Sequence, residues 1–239
     1  MKFADFDALS FDCYGTLIDW EAGIASVVQP WASAQGCTLN REQLLAAYAE
    51  QESEAEAAYP TERYPDILAR SLAKLSQQLG LTVTMAEMER FGFSVPDWPT
   101  FHDSARALVS LQKSHRLIIL SNVDRQSFAA SQAKLGVDFD AIITAEDVGT
   151  YKPDPRNFEA LTATIKNLGI QSEKVLHVAQ SLFHDHVPAK AIGLATVWID
   201  RRHDRPGWGA TPDPGKNVKP DYVFPSMNAF AAAVHKETT

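Results

Sequence analysis

From about residue 101 onward, short apolar runs alternate with helical segments, and this alternation most restricts what the 239-residue chain can fold into. The runs are Leu117-Ile118-Ile119-Leu120, Ala141-Ile142-Ile143-Thr144, Val175-Leu176-His177-Val178, Ala195-Thr196-Val197-Trp198-Ile199 and Tyr222-Val223-Phe224. Helical patterns fill the intervals near 103–114, 124–135, 155–168, 185–192 and 227–236. Short strands interleaved with helices make βαβ units, so the expected fold class is α/β with a doubly wound, Rossmann-like parallel sheet. A first strand, Phe6 to Phe11, must join that sheet from a distance in sequence.

The segment between has a different character. Asn40-Arg41-Glu42-Gln43 reads as a capping box opening a helix, and Thr84-Met85-Ala86-Glu87 as a second. Leu68, Leu72, Leu75 and Leu79 form an apolar helical stripe, which is packing surface before it is a cofactor box. The expected division is a core domain of residues 1–19 and 100–239 and an inserted all-helical cap of 20–99, with hinges near Ile18–Trp20 and Asp97–Thr100. The Pro- and Gly-rich stretch 204–219 reads as a surface loop that tucks Trp208 against the site.

A hydrophobic content of 45% suffices for a substantial core. The formal net charge of -8 and the lack of a basic block exclude a general nucleic-acid binder. No apolar run has the length of a membrane span, and Met1-Lys2-Phe3-Ala4-Asp5 lacks a signal-peptide pattern, so no membrane association and a cytoplasmic location are expected. Cys13 and Cys37 have no metal-ligand spacing and read as free thiols, with Cys13 a small apolar filler in preference to a nucleophile.

The chemistry collects at strand ends, where open α/β sheets bind ligands. The first strand delivers Asp12 into the turn Cys13-Tyr14-Gly15-Thr16. Later strands are followed by Ser121-Asn122, by Tyr151-Lys152-Pro153-Asp154 and by Gln180-Ser181-Leu182-Phe183-His184-Asp185-His186. Taken singly, Asp12 would be a turn residue, Lys152 a solvated lysine and Ser121-Asn122 a helix cap. Taken together, Asp12 is a candidate nucleophile and Lys152 its compensating cation, with Asp185 holding Lys152 or orienting a water. Thr16 braces the loop or Asp12. Ser121, Asn122 and the turn amides near Cys13 to Thr16 can donate to an anionic group. His184 and His186 flank Asp185 but have no partner cluster for a metal, and Trp20, Trp98 and Phe183 are either pocket wall or aromatic core.

In order and spacing, these four segments resemble the four motifs of the haloacid dehalogenase superfamily, with a cap inserted after the first. The phosphatases of that superfamily carry Asp-x-Asp-x-Thr and a magnesium site completed by fourth-motif acids. Here Tyr14 and Gln180 stand at the corresponding positions, which disfavours phosphoryl transfer. Asp-x-Tyr-Gly-Thr-Leu is instead similar to the L-2-haloacid dehalogenase branch. That resemblance implies an enzyme with no metal or other cofactor, in which Asp12 displaces halide from the carbon α to a carboxylate with inversion. Water then cleaves the aspartyl ester. It also implies a small carboxylate substrate, contacts from Ser121, Asn122, Cys13, Tyr14, Phe183 and His184, and a homodimer.

The chain departs from the branch at Phe158, where the dehalogenases place a tyrosine, and at Gln180 and Leu182, where they carry Ser-x-Asn. None of Arg41, Arg63 and Arg70 takes the register of their halide-binding cap arginine. The opening Asp-Cys-Tyr-Gly-Thr-Leu-Ile-Asp-Trp-Glu and the Gln-Ser-Leu-Phe-His-Asp-His segment are similar to superfamily hydrolases that open the ring of azetidine-2-carboxylate. That alternative exchanges halide for an amine and requires a proton donor, for which His184, His186 and Tyr14 are candidates.

Overall fold

The computed structural model describes residues 1–215 and 218–238; within the 204–219 stretch, residues 216 and 217 lie outside the described residues. Six parallel strands form one sheet in the order β3-β2-β1-β4-β5-β6: β1 Ala8–Phe11, β2 Arg116–Ser121, β3 Ala141–Thr144, β4 Val175–Ala179, β5 Ala195–Ile199 and β6 Tyr222–Phe224. Strand β1 lies between β2 and β4, with Phe11 opposite both Ile119 and Val178. Successive connections run outward from β1 in opposite directions, so the crevice opens beyond the carboxyl ends of β1 and β4.

Core helices cover the sheet: α5 Ser104–Leu111, α6 Arg125–Leu135, α7 Ala145–Val148, α8 Pro155–Asn167, α9 Val187–Ala191 and α10 Met227–Thr238. Strands β1, β2 and β4 are buried on both faces apart from Arg116, which explains their nearly continuous apolar runs. Where a single helix near 185–192 is expected, a π-helical turn, Leu182–His186, precedes α9. Ser181 caps this turn by accepting the His184 amide, and Pro188 follows inside the next turn.

Four helices stand between Asp19 and Thr100: α1 Trp20–Ser33, α2 Arg41–Ala58, α3 Tyr64–Leu79 and α4 Met85–Gly92. Both capping boxes form, Asn40 with Gln43 and Thr84 with Glu87. Leu68, Leu72 and Leu75 are buried against the neighbouring helices. The two crossings between core and cap lie side by side: Asp19 N–H donates to Pro99 O at 2.8 Å and Phe101 N–H to Leu17 O at 3.1 Å. At its base the cap is thus held by a two-stranded ribbon. Gly23 in α1 lets the indole of Trp98 lie directly on the helix backbone. Trp98 is therefore core, T-shaped against Tyr14 and Tyr64, and does not line the site. Trp208 is 37% exposed and not tucked in, because the loop from β5 docks instead through Ala210, whose N–H donates to Glu21 at 3.0 Å. Among the described residues no helix is long and apolar enough to cross a membrane.

Candidate active site

Strand β1 holds Asp12 by continuing its ladder one residue further, with Asp12 N–H on Val178 O at 3.1 Å. The chain then reverses through Gly15 at φ +91°, a conformation that favours glycine, and Trp20 and Gln180 would also crowd a Cβ there. The reversal brings Thr16 back over Asp12. Its hydroxyl donates to Asp12 Oδ2 at 2.6 Å and accepts the Gln180 amide at 2.9 Å, tying the ends of β1 and β4 together.

Lys152 reaches the same point from the loop after α7. Its ammonium donates to Asp12 Oδ1 at 2.9 Å, Asp185 Oδ1 at 2.7 Å and Leu120 O at 3.0 Å, which uses all three N–H bonds. Asn122 fixes the Lys152 backbone from both sides, accepting its N–H at 2.6 Å and donating to its carbonyl at 3.0 Å. Behind Asp185 stands His177, whose Nε2 lies 3.0 Å from Asp185 Oδ1 while Nδ1 lies 2.9 Å from Ser10 Oγ. Asp185 Oδ2 is buried with no hydrogen-bond partner among the described residues.

These groups titrate as a unit. Burial raises the Asp12 carboxyl, and Lys152 and Thr16 counter that rise. Burial acts the same way on Asp185, but there Lys152 and His177 prevail and hold it well below the usual carboxylate range. For Lys152, burial favours the neutral amine, and the two carboxylates overcome it and raise the ammonium above its usual range. At neutral pH the centre is an ammonium between two acids, with Asp185 the firmer anion.

Asp12, Tyr14, Asn122, Lys152, His184 and Asp185 border one small cavity of about 30 Å³, room for about two waters. Glu52, Glu56 and Tyr64 of the cap form its far wall, and at this volume it admits a substrate only when the cap or its side chains move. Three expected contacts lie off the wall. Cys13 faces the core, where burial pushes its thiol well up. Ser121 ends β2 with a buried hydroxyl that has no partner among the described residues. Phe183 packs edge-on to His184 and faces an outer groove with Pro60 and Arg156.

The expected proton donors are also occupied. Tyr14 turns its hydroxyl away to Ser131 at 2.8 Å. Burial lowers both His184 and His186 to about 4, so both are neutral at pH 7. His184 Nδ1 faces Ser181 Oγ at 3.1 Å, and His186 Nε2 faces Ala179 O at 3.0 Å.

The cap contributes what the strand-end pattern does not reveal. Glu52 and Glu56, one turn apart on α2, face Asp12 across the cavity and are nearly fully buried. The Tyr48 and Tyr64 hydroxyls both donate to Glu52 Oε1, at 3.0 and 2.9 Å. Burial raises Glu52 to about 7 against the pull of the two phenols. Glu56 is pushed well above its usual range, first by burial and then by the charge of Glu52, with Lys152 and Asn122 opposing. No arginine borders the cavity among the described residues. Arg41 pairs with Glu42 at 3.0 Å in a neighbouring pocket, Arg63 is surface-exposed, and Arg70 pairs with Glu62 while stacking on Tyr59.

Magnesium, which phosphoryl-transferring members of the superfamily use, does not fit this donor set. Lys152 already bridges the two aspartates, and Gln180 supplies an amide whose Oε1 accepts from Thr211 at 3.1 Å. Among the described residues no group of three or more His, Cys, Asp or Glu is arranged for a metal.

A parallel sheet with a buried carboxylate at the switch point and a helical cap across it defines a capped α/β hydrolase. The chain belongs to the haloacid dehalogenase-like hydrolase family, whose profile matches residues 6–192. It is 26% identical over 214 residues to (S)-2-haloacid dehalogenase H-109 of Pseudomonas putida, covering 82% of this chain and 86% of the relative. The L-2-haloacid dehalogenase from Xanthobacter autotrophicus with chloropropionic acid covalently bound shares its fold at TM-score 0.74 and 20% identity, over 96% of this chain and 98% of that one. The HAD-hydrolase YfnB from Bacillus subtilis bound to magnesium matches at TM-score 0.74 and 18% identity, over 96% and 99%.

Proposed function

We propose that the protein hydrolyses a small 2-substituted carboxylic acid at its α carbon through an ester of Asp12, without a metal, and that (S)-2-haloacids are the first substrates to consider. One observation carries this reading: Lys152 and Thr16 grip a carboxylate that has no second acid beside it two residues on, only Tyr14. A carboxylate oriented and desolvated in this way suits attack on saturated carbon. In the first step the Asp12 oxygen bonds to the α carbon and the halide leaves with its electron pair. In the second, water adds to the Asp12 carbonyl carbon and the 2-hydroxy acid departs with a proton, restoring the carboxylate. The free Oδ2 of Asp185 can accept a hydrogen bond from that water and orient it. Relatives of this family named as (S)-2-haloacid dehalogenases support the substrate class.

A second reading, hydrolytic opening of a C–N ring such as azetidine-2-carboxylate, is favoured by the absence of arginine from the described cavity wall. Both readings share the ester, so both are tested by one turnover in ¹⁸O-water with chelator present. The label should enter the Asp12 carboxyl and not the product alcohol, and Asp12→Asn should abolish turnover. Label appearing first in the product refutes the ester. Halide release from (S)-2-chloropropionate identifies the first reading, and turnover of azetidine-2-carboxylate without it identifies the second.

A further inference from the structure

Four carboxyl groups border the cavity, from Asp12, Asp185, Glu52 and Glu56, and Lys152 is the one charged base among its described lining residues. That ammonium has no donor to spare, since Asp12, Asp185 and the Leu120 carbonyl take all three. His184 is neutral and faces Ser181. The acids on the cap side therefore have no cation of their own. The phenols of Tyr48 and Tyr64 converge on a single oxygen of Glu52, and its Oε2 has no hydrogen bond among the described residues although the residue is only 5% exposed. Glu56 receives only long contacts from Asn122, at 3.4 and 3.5 Å. Buried carboxyls are normally paired or fully hydrogen-bonded, and a pair left with open acceptors toward a cavity calls for a donor that arrives with the ligand.

We propose that Glu52 and Glu56 form a cation subsite that receives a protonated nitrogen on the substrate's α carbon. A 2-haloacid adds one more negative charge to this cavity and offers no hydrogen-bond donor to the pair. An α-ammonium acid adds no net charge and supplies donors to the open oxygens. The same contact keeps the nitrogen in its ammonium form, so that when Asp12 attacks, the C–N electron pair passes to nitrogen and it departs as a neutral amine. The catalytic use of the subsite rests on the proposed Asp12 ester; its selectivity in binding does not.

Two ligands of one carbon skeleton isolate the effect: (S)-alanine and isobutyrate, which differ by ammonium against methyl. Titration calorimetry of the intact protein should give at least about tenfold tighter binding of alanine, equivalent to about 1.4 kcal/mol. In Glu52→Gln/Glu56→Gln the preference should fall to within about twofold. Glu56→Gln alone, which disturbs no short hydrogen bond, should cut it at least about threefold, and this variant serves if the double one does not fold. Equal or tighter binding of isobutyrate, binding of neither ligand, or a preference that survives the substitutions overturns the subsite. Failure of the ¹⁸O test with the alanine preference intact would instead remove the ester and leave the subsite standing.

Discussion

Glu52 allows the cost of a buried acid to be measured directly. Its carboxyl rises from 4.5 to about 7 because burial disfavours the anion. Below pH 4.5 the group is neutral in folded and unfolded chains and contributes no pH-dependent term. As pH climbs, the unfolded chain ionises first while the folded one resists, so destabilisation grows until the folded group also ionises near pH 7, and is then constant. At about 1.4 kcal/mol per pH unit, the gap corresponds to about 3 kcal/mol by pH 8. Glu52→Gln removes this penalty and keeps an oxygen acceptor for Tyr48 and Tyr64. Any change in those two hydrogen bonds is a constant offset, so only the pH-dependent part of the difference is informative. Because part of the penalty is already present at pH 5, urea unfolding of both proteins at pH 5 and pH 8 should show the variant gaining about 2.5 kcal/mol on wild type between the two pH values. A difference that is flat with pH, or that moves against the variant, would refute the assignment of Glu52 as a desolvated acid.

Two other substitutions probe the parts that position the site. Lys152→Met leaves Asp12 and Asp185 buried together without their cation, and breaking such a pair costs about 3–5 kcal/mol at pH 7. The loss should shrink toward pH 4 as one acid takes up a proton; a urea-denaturation deficit equal at both pH values would contradict it. Gly23→Ala places a methyl group inside the Trp98 ring, and overpacking of this kind costs about 1–3 kcal/mol. An unchanged melting temperature would show that the indole does not rest on α1 as described.

The sheet was legible because each strand is a compact apolar run, and Asp12, Lys152 and Asp185 because each follows such a run by one turn or lies in the loop after it. Location in a parallel sheet is nearly a property of local sequence: the end of a strand points into the crevice wherever the strand lies. Thr16 shares in this, being four residues from the carboxylate it grips. His177 was hidden because a single polar residue in the run Val175-Leu176-His177-Val178 reads as strand. Its meaning lies in the register that sets it opposite Ser10. The π-helical turn at Leu182–His186 was hidden for a similar reason, since one extra residue per turn leaves no mark on so short a helical pattern.

Glu52 and Glu56 show where local reading stops. In Glu50-Gln51-Glu52-Ser53-Glu54-Ala55-Glu56 the composition is that of a solvated helix face, and Glu50 and Glu54 are exposed. Yet the buried stripe of α2 runs Leu45, Tyr48, Glu52, Ala55, Glu56, so the apolar spacing continues unbroken into the two acids. That periodicity is the signal that could have singled them out. It could not have said what they face, because the partner surface is the crevice of another domain, with Asn122 lying 66 residues beyond Glu56 along the chain and Lys152 farther still, and it is reached through the ribbon at Asp19 and Pro99. On the function proposed above, the displacement chemistry sits at strand ends, with Asp12 after β1, Lys152 in a loop beside it and Asp185 in the turn after β4. What the cap adds is charge: burial on α2 turns Glu52 and Glu56, residues of ordinary surface type, into part of the cavity wall, and on the subsite proposed above they select what is displaced.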